Sequence, residues 1–284
     1  MRTSHKLAMA KLAYAVVHTA RRLVGLNDRC LVKRRGFNFD LDLSQGIDLT
    51  IYLLGSFEPS TARALARLVV PGSTVLDIGA NIGAHTIPLA GLVGQEGRVL
   101  AFEPTAFAFT KLERNIELNA DAKKVVHAYQ CFLGAADAED IPPEIYSSWP
   151  LTEAGGLHPK HGGNSNSTTK AVGRSVDSVL AEHGNPRVHL IKLDVDGFEC
   201  DVLAGASGMM RRDQPVFVME LAPYVLAERG KSLQELLTFF QPFGYRFYDE
   251  TSERMLQSDA NSLSEMIADG ESKNIIARVQ PAAS

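Results

Sequence analysis

Cysteine is scarce in this 284-residue chain, and the three present, Cys30, Cys131 and Cys200, are far apart and odd in number. That usage excludes a disulfide framework and a CxxC zinc site, and it makes a reducing, cytoplasmic setting the expectation. Long apolar runs are missing too. No stretch approaches the roughly 18 apolar residues of a spanning helix. The most leader-like segment, residues 7–24, is interrupted by Lys11 and closed by Arg21-Arg22 without a cleavage pattern, so neither a span nor a cleaved leader is expected. Basic charge is lacking over most of the chain. The net charge is -4, yet residues 1–35 hold nine Lys/Arg against Asp28 alone, which leaves the remainder near -12. Such an acidic body argues against nucleic acid as a partner, because phosphate backbones need a basic surface.

On a 3.6-residue wheel Met9, Leu12, Ala13, Val16, Ala20 and Leu23 share a face, with Lys11, His18 and Arg22 opposite. Residues 5–24 therefore read as an amphipathic basic helix. Packing on its own domain or on a homodimer partner is the expectation, with peripheral contact to an anionic membrane as the alternative.

What organises the chain is residues 75–104, VLDIGANIGAHTIPLAGLVGQEGRVLAFEP. An apolar strand empties into a turn carrying Asp77, Gly79, Asn81 and Gly83; a helix runs to about Leu92; a second strand closes at Glu103. Bare backbone N–H groups at a helix start, with an acid at the next strand's tip to take a ribose diol, make a nucleoside-cofactor crevice. Before it, residues 31–56 read as small strands or a helix, and a helix capped by Ser60 or Thr61 runs to Pro71-Gly72. After it, a helix ends near Asn119 and a third strand covers Val125–Leu133. The strand-helix alternation resumes at Val188–Asp194 and Val216–Glu220, and closing strands cover Tyr245–Asp249 and Asn274–Val279. This is an α/β pattern with a doubly wound, mostly parallel sheet. Residues 137–170, rich in Pro, Gly, Ser and Asn, break it. An insertion of that length reads as a substrate-facing loop, with Trp149, His158, His161 and Asn166 as candidate contacts. No second core is evident, so one domain over 60–284 is expected, with additions over 1–59.

Four strands end in acids: Asp77, Glu103, Asp194 and Glu220. In an open parallel sheet these ends share one edge, so the four converge on a site although they are distant in sequence. The dinucleotide fingerprint is absent. It would need glycine at 79, 81 and 84, whereas the chain has Gly79, Asn81 and Ala84, and the missing second glycine is where backbone must approach a pyrophosphate; NAD is disfavoured. The DxGANxG turn instead resembles motif I of S-adenosylmethionine-dependent methyltransferases. Residues 55–59 (GSFEP), then DIGANIGAHT, AFEPTAFAFTKLERNIELN, SVDSVL, IKLDVDGFECDVLAGA and MELAPY follow one another in the order seen in the FkbM family, over roughly residues 50–250. Asp196 stands where the family often has glutamate, and Thr105-Ala106 where it usually has Asn-Pro.

The resemblance implies a class I methyltransferase fold, a Rossmann-like seven-stranded sheet with one antiparallel strand. It also implies O-methylation of a sugar, polyketide or lipid-linked hydroxyl with S-adenosylmethionine as cofactor. It puts Gly79, Ala80, Asn81 and Gly83 around the methionine part, Asp77 at the amino group, Glu103 at the ribose hydroxyls, and Gly134 and Ala135 near the adenine. An alcohol is a poor nucleophile until its proton leaves, so a carboxylate or imidazole near the acceptor is required. Asp194 is the first candidate, Glu220 the second and His85 the third, while Asp196 and Glu199 read as helix-entry groups. No metal is expected, although Asp194 and Glu220 as oxygen ligands form a metal-assisted alternative. A cofactor-binding interaction protein without catalysis, and an N-methyltransferase, are the other functional alternatives.

Overall fold

A computed structural model describes residues 3–137, 140–152, 157–158 and 162–280. Helix α1 (Thr3–Leu23) leads into an antiparallel hairpin of β1 (Arg29–Arg34) and β2 (Phe37–Asp42), then α2 (Gly46–Leu54) and α3 (Pro59–Leu68). Strand and helix alternate through β3 (Thr74–Ile78), α4 (Thr86–Val93), β4 (Arg98–Phe102), α5 (Ala106–Glu117) and β5 (Val126–Tyr129). Two small pairs follow: β6 (Cys131–Leu133) is parallel to β9 (Val172–Arg174), and β7 (Glu144–Ser147) is antiparallel to β8 (Asn164–Ser167). β10 (Val188–Leu193), β11 (Val216–Leu221), β12 (Tyr245–Asp249) and β13 (Lys273–Val279) complete the chain.

Seven strands form one sheet in the order β12-β13-β11-β10-β3-β4-β5. β13 runs antiparallel to β11 and β12, and the other pairs are parallel. Every residue of β3 is buried, as a strand covered on both faces requires. Leu76 and Ile78 enter one core, with Val176, Val179, Leu203 and Phe240; Val75 enters the other, with Phe39, Leu41, Ile47, Leu65, Ile87 and Leu89. The additions before residue 60 thus share the domain's core. From β3 the chain winds outward to β4 and β5, then crosses back to β10 and β11. The order reverses beside β3, where a crevice opens at the strands' carboxyl ends.

Several local expectations are corrected. Val125–Leu133 is not one strand: it begins as a helical turn, pairs with β4 only over Val126–Tyr129, and after Gln130 leaves the sheet to pair with β9. The helix assigned a Ser60 or Thr61 cap starts instead at Pro59, whose fixed φ suits the first helical position, with Glu58 before it. Thr61 Oγ1 donates to Glu250 Oε2 instead, at 3.0 Å. Residues 137–170 contain the β7–β8 pair.

α1 carries two apolar stripes. Leu7, Ala10, Ala13, Tyr14 and Val17 pack on the core. Met9, Leu12, Val16 and Leu23, named together on the wheel, are 61 to 83% exposed. The polar contacts explain the rotation. Tyr14 Oη donates to Asp28 Oδ2 at 2.9 Å and His18 Nδ1 lies 2.9 Å from the same carboxylate, so these two side chains must face inward.

Candidate active site

The turn after β3 is held from three sides. Gly79 has φ +80°, and a Cβ there would lie 1.8 Å from the backbone oxygen of Asp194, so only glycine lets the turn after β3 touch the exit of β10. The Gly79 and Ala80 amides donate to Phe102 O at 3.0 and 2.9 Å. The Asn81 amide donates to Glu103 Oε2 at 3.0 Å, while Glu103 Oε1 accepts from the Thr105 amide at 2.8 Å and from its hydroxyl. Gly83 is not on the crevice wall; it leaves room for Leu112, whose Cδ1 would be 2.9 Å from an added Cβ. Burial raises the Glu103 pKa, against hydrogen bonds from Thr105 and Asn81 that lower it.

Beneath the turn lies Lys192, a residue that pattern reading passed over. It is the register partner of Asp77 on the neighbouring parallel strand, and both are buried. Its Nζ donates to Gly79 O at 2.9 Å, lies 3.2 Å from Asp194 Oδ2 and 3.8 Å from Asp77 Oδ1. Burial alone would lower the ammonium's pKa, but Asp194, Asp77 and Glu58 around it raise it above the ordinary lysine value. Asp77 is fully enclosed: Oδ2 accepts from Thr86 Oγ1 at 2.6 Å, and Oδ1 has no hydrogen-bond partner among the described residues. The structure therefore places Asp77 under the turn, next to Lys192, rather than on the cavity wall.

Glu103, Asp194 and Glu220 do converge, on a cavity of about 610 Å³. Gly79, Ala80, Asn81, Phe102 and Thr105 wall one part of it; His85, Glu58 and Asp196 face the same space. Asp196 is pushed well above the usual carboxylate range by burial, then by Asp194 and Glu199. Glu220 is raised likewise by burial, then by Asp194 and Asp196. Glu199 is buried and accepts from the amides of Val195 and Gly197 at 3.3 Å, with its pKa pushed up to about 7 by burial. Of the two expected helix-entry groups, Glu199 fits that role and Asp196 instead faces the cavity. His85 Nε2 is buried, has no hydrogen-bond partner among the described residues, and lies 3.7 Å from Glu58 Oε2.

Ile145, Ser147, Ser148, Trp149 and Leu151 of the insertion also wall the cavity, and Trp149 stacks on Phe57 at 6.2 Å. This wall is tied to the start of α2: the Gly46 amide donates to Trp149 O and the Leu151 amide to Ser44 O, each at 2.8 Å. His158 and Asn166 are directed elsewhere. His158 Nε2 lies 3.1 Å from Glu228, and Asn166 Nδ2 donates to Ser147 O at 2.7 Å inside the hairpin. His161 lies outside the described residues. Gly134 and Ala135 are not among the lining residues: the Gly134 amide donates to Arg174 O and its oxygen packs on Gly205, while Cys131, Phe132 and Leu133 line the cavity. The strand's departure from the sheet at Gln130 moves the wall residues forward. Among the described residues no group of three His, Cys, Asp or Glu side chains is placed to hold a metal.

The seven-stranded sheet with one antiparallel strand, the glycine turn after its first parallel strand and the acid at the tip of the next make up the class I methyltransferase fold, whose cofactor is S-adenosylmethionine. The model of the methyltransferase FkbM domain matches residues 77–247, more than half of the chain, and the chain belongs to that family. Among curated proteins it is similar to Methyltransferase 1 of Beauveria bassiana, 31% identical over 148 residues, which are 47% of this chain and 58% of that one. It is also similar to the hexuronic acid methyltransferase AglP of Haloferax volcanii, 26% identical over 154 residues, covering 54% and 58% of the two chains. The chain thus spans 58% of the length of each of these relatives. A solved FkbM methyltransferase from Methylobacillus flagellatus aligns with TM-score 0.47 at 16% identity, over 80% of this chain and 49% of that one.

Proposed function

We propose that the protein transfers a methyl group from S-adenosylmethionine to a hydroxyl of a sugar, glycolipid or polyketide-type natural product. The observation that carries this reading is the contact between Asp194 and the glycine turn: the acid that would activate the acceptor and the backbone that would cradle the cofactor share one wall, pinned together by Lys192. The residues fit the cofactor. The cavity is of the size that ligands use. Glu103 spends its oxygens on three protein donors, and a carboxylate has about four lone-pair sites, so room is left for a ribose hydroxyl. Gly79–Asn81 would face the amino-acid end, Phe132 and Leu133 the base.

When bound, the cofactor supplies an electrophilic methyl group on a sulfonium that leaves as a neutral thioether. The chain's task is alignment and proton removal. Asp194 accepts the acceptor's hydroxyl proton, and the Lys192 ammonium 3.2 Å away fixes the position of its carboxylate. Asp196 and Glu220, both raised by burial and then by Asp194, are shifted toward the protonated form that can orient the acceptor by donating hydrogen bonds. Trp149, Phe57 and Leu151 give the acceptor side an apolar wall. The hexuronic acid named for the Haloferax volcanii relative supports a sugar acceptor.

The test is Asp194→Asn with radiolabelled cofactor and glycan or glycolipid extracts. Binding of S-adenosylhomocysteine is expected to stay within about threefold, while label transfer drops by about 100-fold or more, the usual contribution of a general base. Undiminished transfer would remove Asp194 from the mechanism.

A further inference from the structure

The cofactor wall occupies one side of the cavity. The other side opens between α1 and the tip of α2, where Met9 and Leu54 both line the cavity and stand 61 and 58% exposed to solvent. From Met9 the exposed apolar stripe runs along α1 through Leu12 and Val16 to Leu23, then continues in Val24 and Leu26. β1 adds Leu31, exposed between exposed Arg29 and Lys33. Lys11 and Arg22 are exposed on the same helix, set around from the stripe beyond Ala15 and Thr19. Asp28 is turned toward Tyr14 and His18, and Asp42 on the paired strand lies 3.8 Å from Arg29, so the positive excess rests on the other basic side chains.

We propose that α1, the tip of α2 and the outer face of β1 form a docking surface for an anionic lipid membrane, which places the cavity mouth at the level of the headgroups. Exposed large apolar side chains flanked by Lys and Arg are the composition of an interfacial helix. Charge decides between occupants. Residues 1–35 carry nine basic side chains against one acidic, while the rest of the chain is near -12. An anionic bilayer attracts the first region and repels the second, which fixes orientation; a second copy docking by the same face would oppose two strongly positive surfaces. No described helix is long and apolar enough to cross the bilayer, so the contact is peripheral. A lipid-linked acceptor would then reach the cavity without leaving the membrane.

The test is flotation of the full chain with vesicles of phosphatidylglycerol and phosphatidylcholine in equal parts, against phosphatidylcholine alone. Association with the anionic vesicles, weakened by salt, is expected. Lys11→Glu with Arg22→Glu should cut partitioning by about 25-fold or more, since each basic side chain near the surface contributes about fivefold. Leu12→Ser with Val16→Ser should cut it by about tenfold. Both double variants should keep the parent's melting temperature and affinity for S-adenosylhomocysteine, which shows the fold intact. Absence of flotation at low salt, or variants that float as well as the parent, overturns the proposal. So does a solution dimer that the Leu12→Ser/Val16→Ser variant abolishes, because that face would then belong to a second copy. Methyl transfer is not measured, so this outcome is separate from that of the proposed reaction.

Discussion

Replacing Lys192 with methionine keeps most of the side-chain length and deletes the charge, leaving Asp77 and Asp194 with no ion-pair partner within 4 Å among the described residues. Removing one partner of a buried ion pair destabilises by about 3–5 kcal/mol. A second loss is local: Gly79 O loses a charged donor at 2.9 Å, worth about 1.5–3 kcal/mol, so cofactor affinity should drop by roughly tenfold to 100-fold as the turn loosens. A third effect is on protonation. Lys192 lowers the pKa values of Glu58, Glu103 and Asp196, so all three should hold their protons to higher pH in Lys192→Met. In the proposed mechanism Glu103 takes the ribose hydroxyls as a carboxylate, so the acid limb of the pH–rate profile should move up with it. Urea midpoints, calorimetric titration with S-adenosylhomocysteine and turnover from about pH 5 to 9 check the three in turn. A variant that unfolds within 1 kcal/mol of the parent and keeps both its cofactor affinity and its pH profile would refute the view of Lys192 as the common anchor of turn and acid.

Gly79→Ala introduces a Cβ into a space 1.8 Å from Asp194 O at positive φ; loss of S-adenosylhomocysteine binding by calorimetry and a stability drop of about 3 kcal/mol or more are expected. Trp149→Ala removes the stack on Phe57 and part of the cavity wall proposed to face the acceptor; steady-state kinetics should show acceptor KM raised about tenfold with the KM for cofactor unchanged. Glu199 has a folded pKa of about 7 against an ordinary 4.5. An acid raised on folding binds its proton more tightly in the native state, so native stability falls as pH rises from the unfolded value through the folded one. Over pH 4.5 to 7 that component is on the order of 3 kcal/mol and absent in Glu199→Gln. The variant's urea midpoint should therefore gain on the parent's across that window, and parallel curves would contradict the assignment.

The main strands were legible because fully buried parallel strands read as unbroken apolar runs, and the alternation with helices leaves few other topologies. The acids at their tips were legible because strand ends are easy to mark. Lys192 was not, since a lysine within VHLIKL reads as an ordinary solvated position; only the neighbouring strand supplies Asp77 beside it. Glu58 sits before a proline and reads as loop, and its place beside His85 depends on long-range packing. β8, Asn164–Ser167, is made wholly of Asn and Ser, so propensity gave no signal for the partner that β7 needs. The wheel misled on α1 because the helix is apolar on two stripes. Burial was decided by Tyr14 and His18 reaching Asp28, a contact that no periodicity expresses.

The two backbone bonds joining Gly46 to Trp149 and Leu151 to Ser44 have a consequence for exchange between relatives. The segment that shapes this cavity wall, proposed to face the acceptor, takes its position from the residues that begin α2, about a hundred positions earlier in the chain. A Cβ at residue 46 would already press on Trp149 O at 3.3 Å. In this chain that wall of the cavity is therefore not a detachable cassette. A chimera that transplants residues 137–170 alone carries the right side chains on a displaced frame, and one that also takes residues 44–46 brings the frame with it.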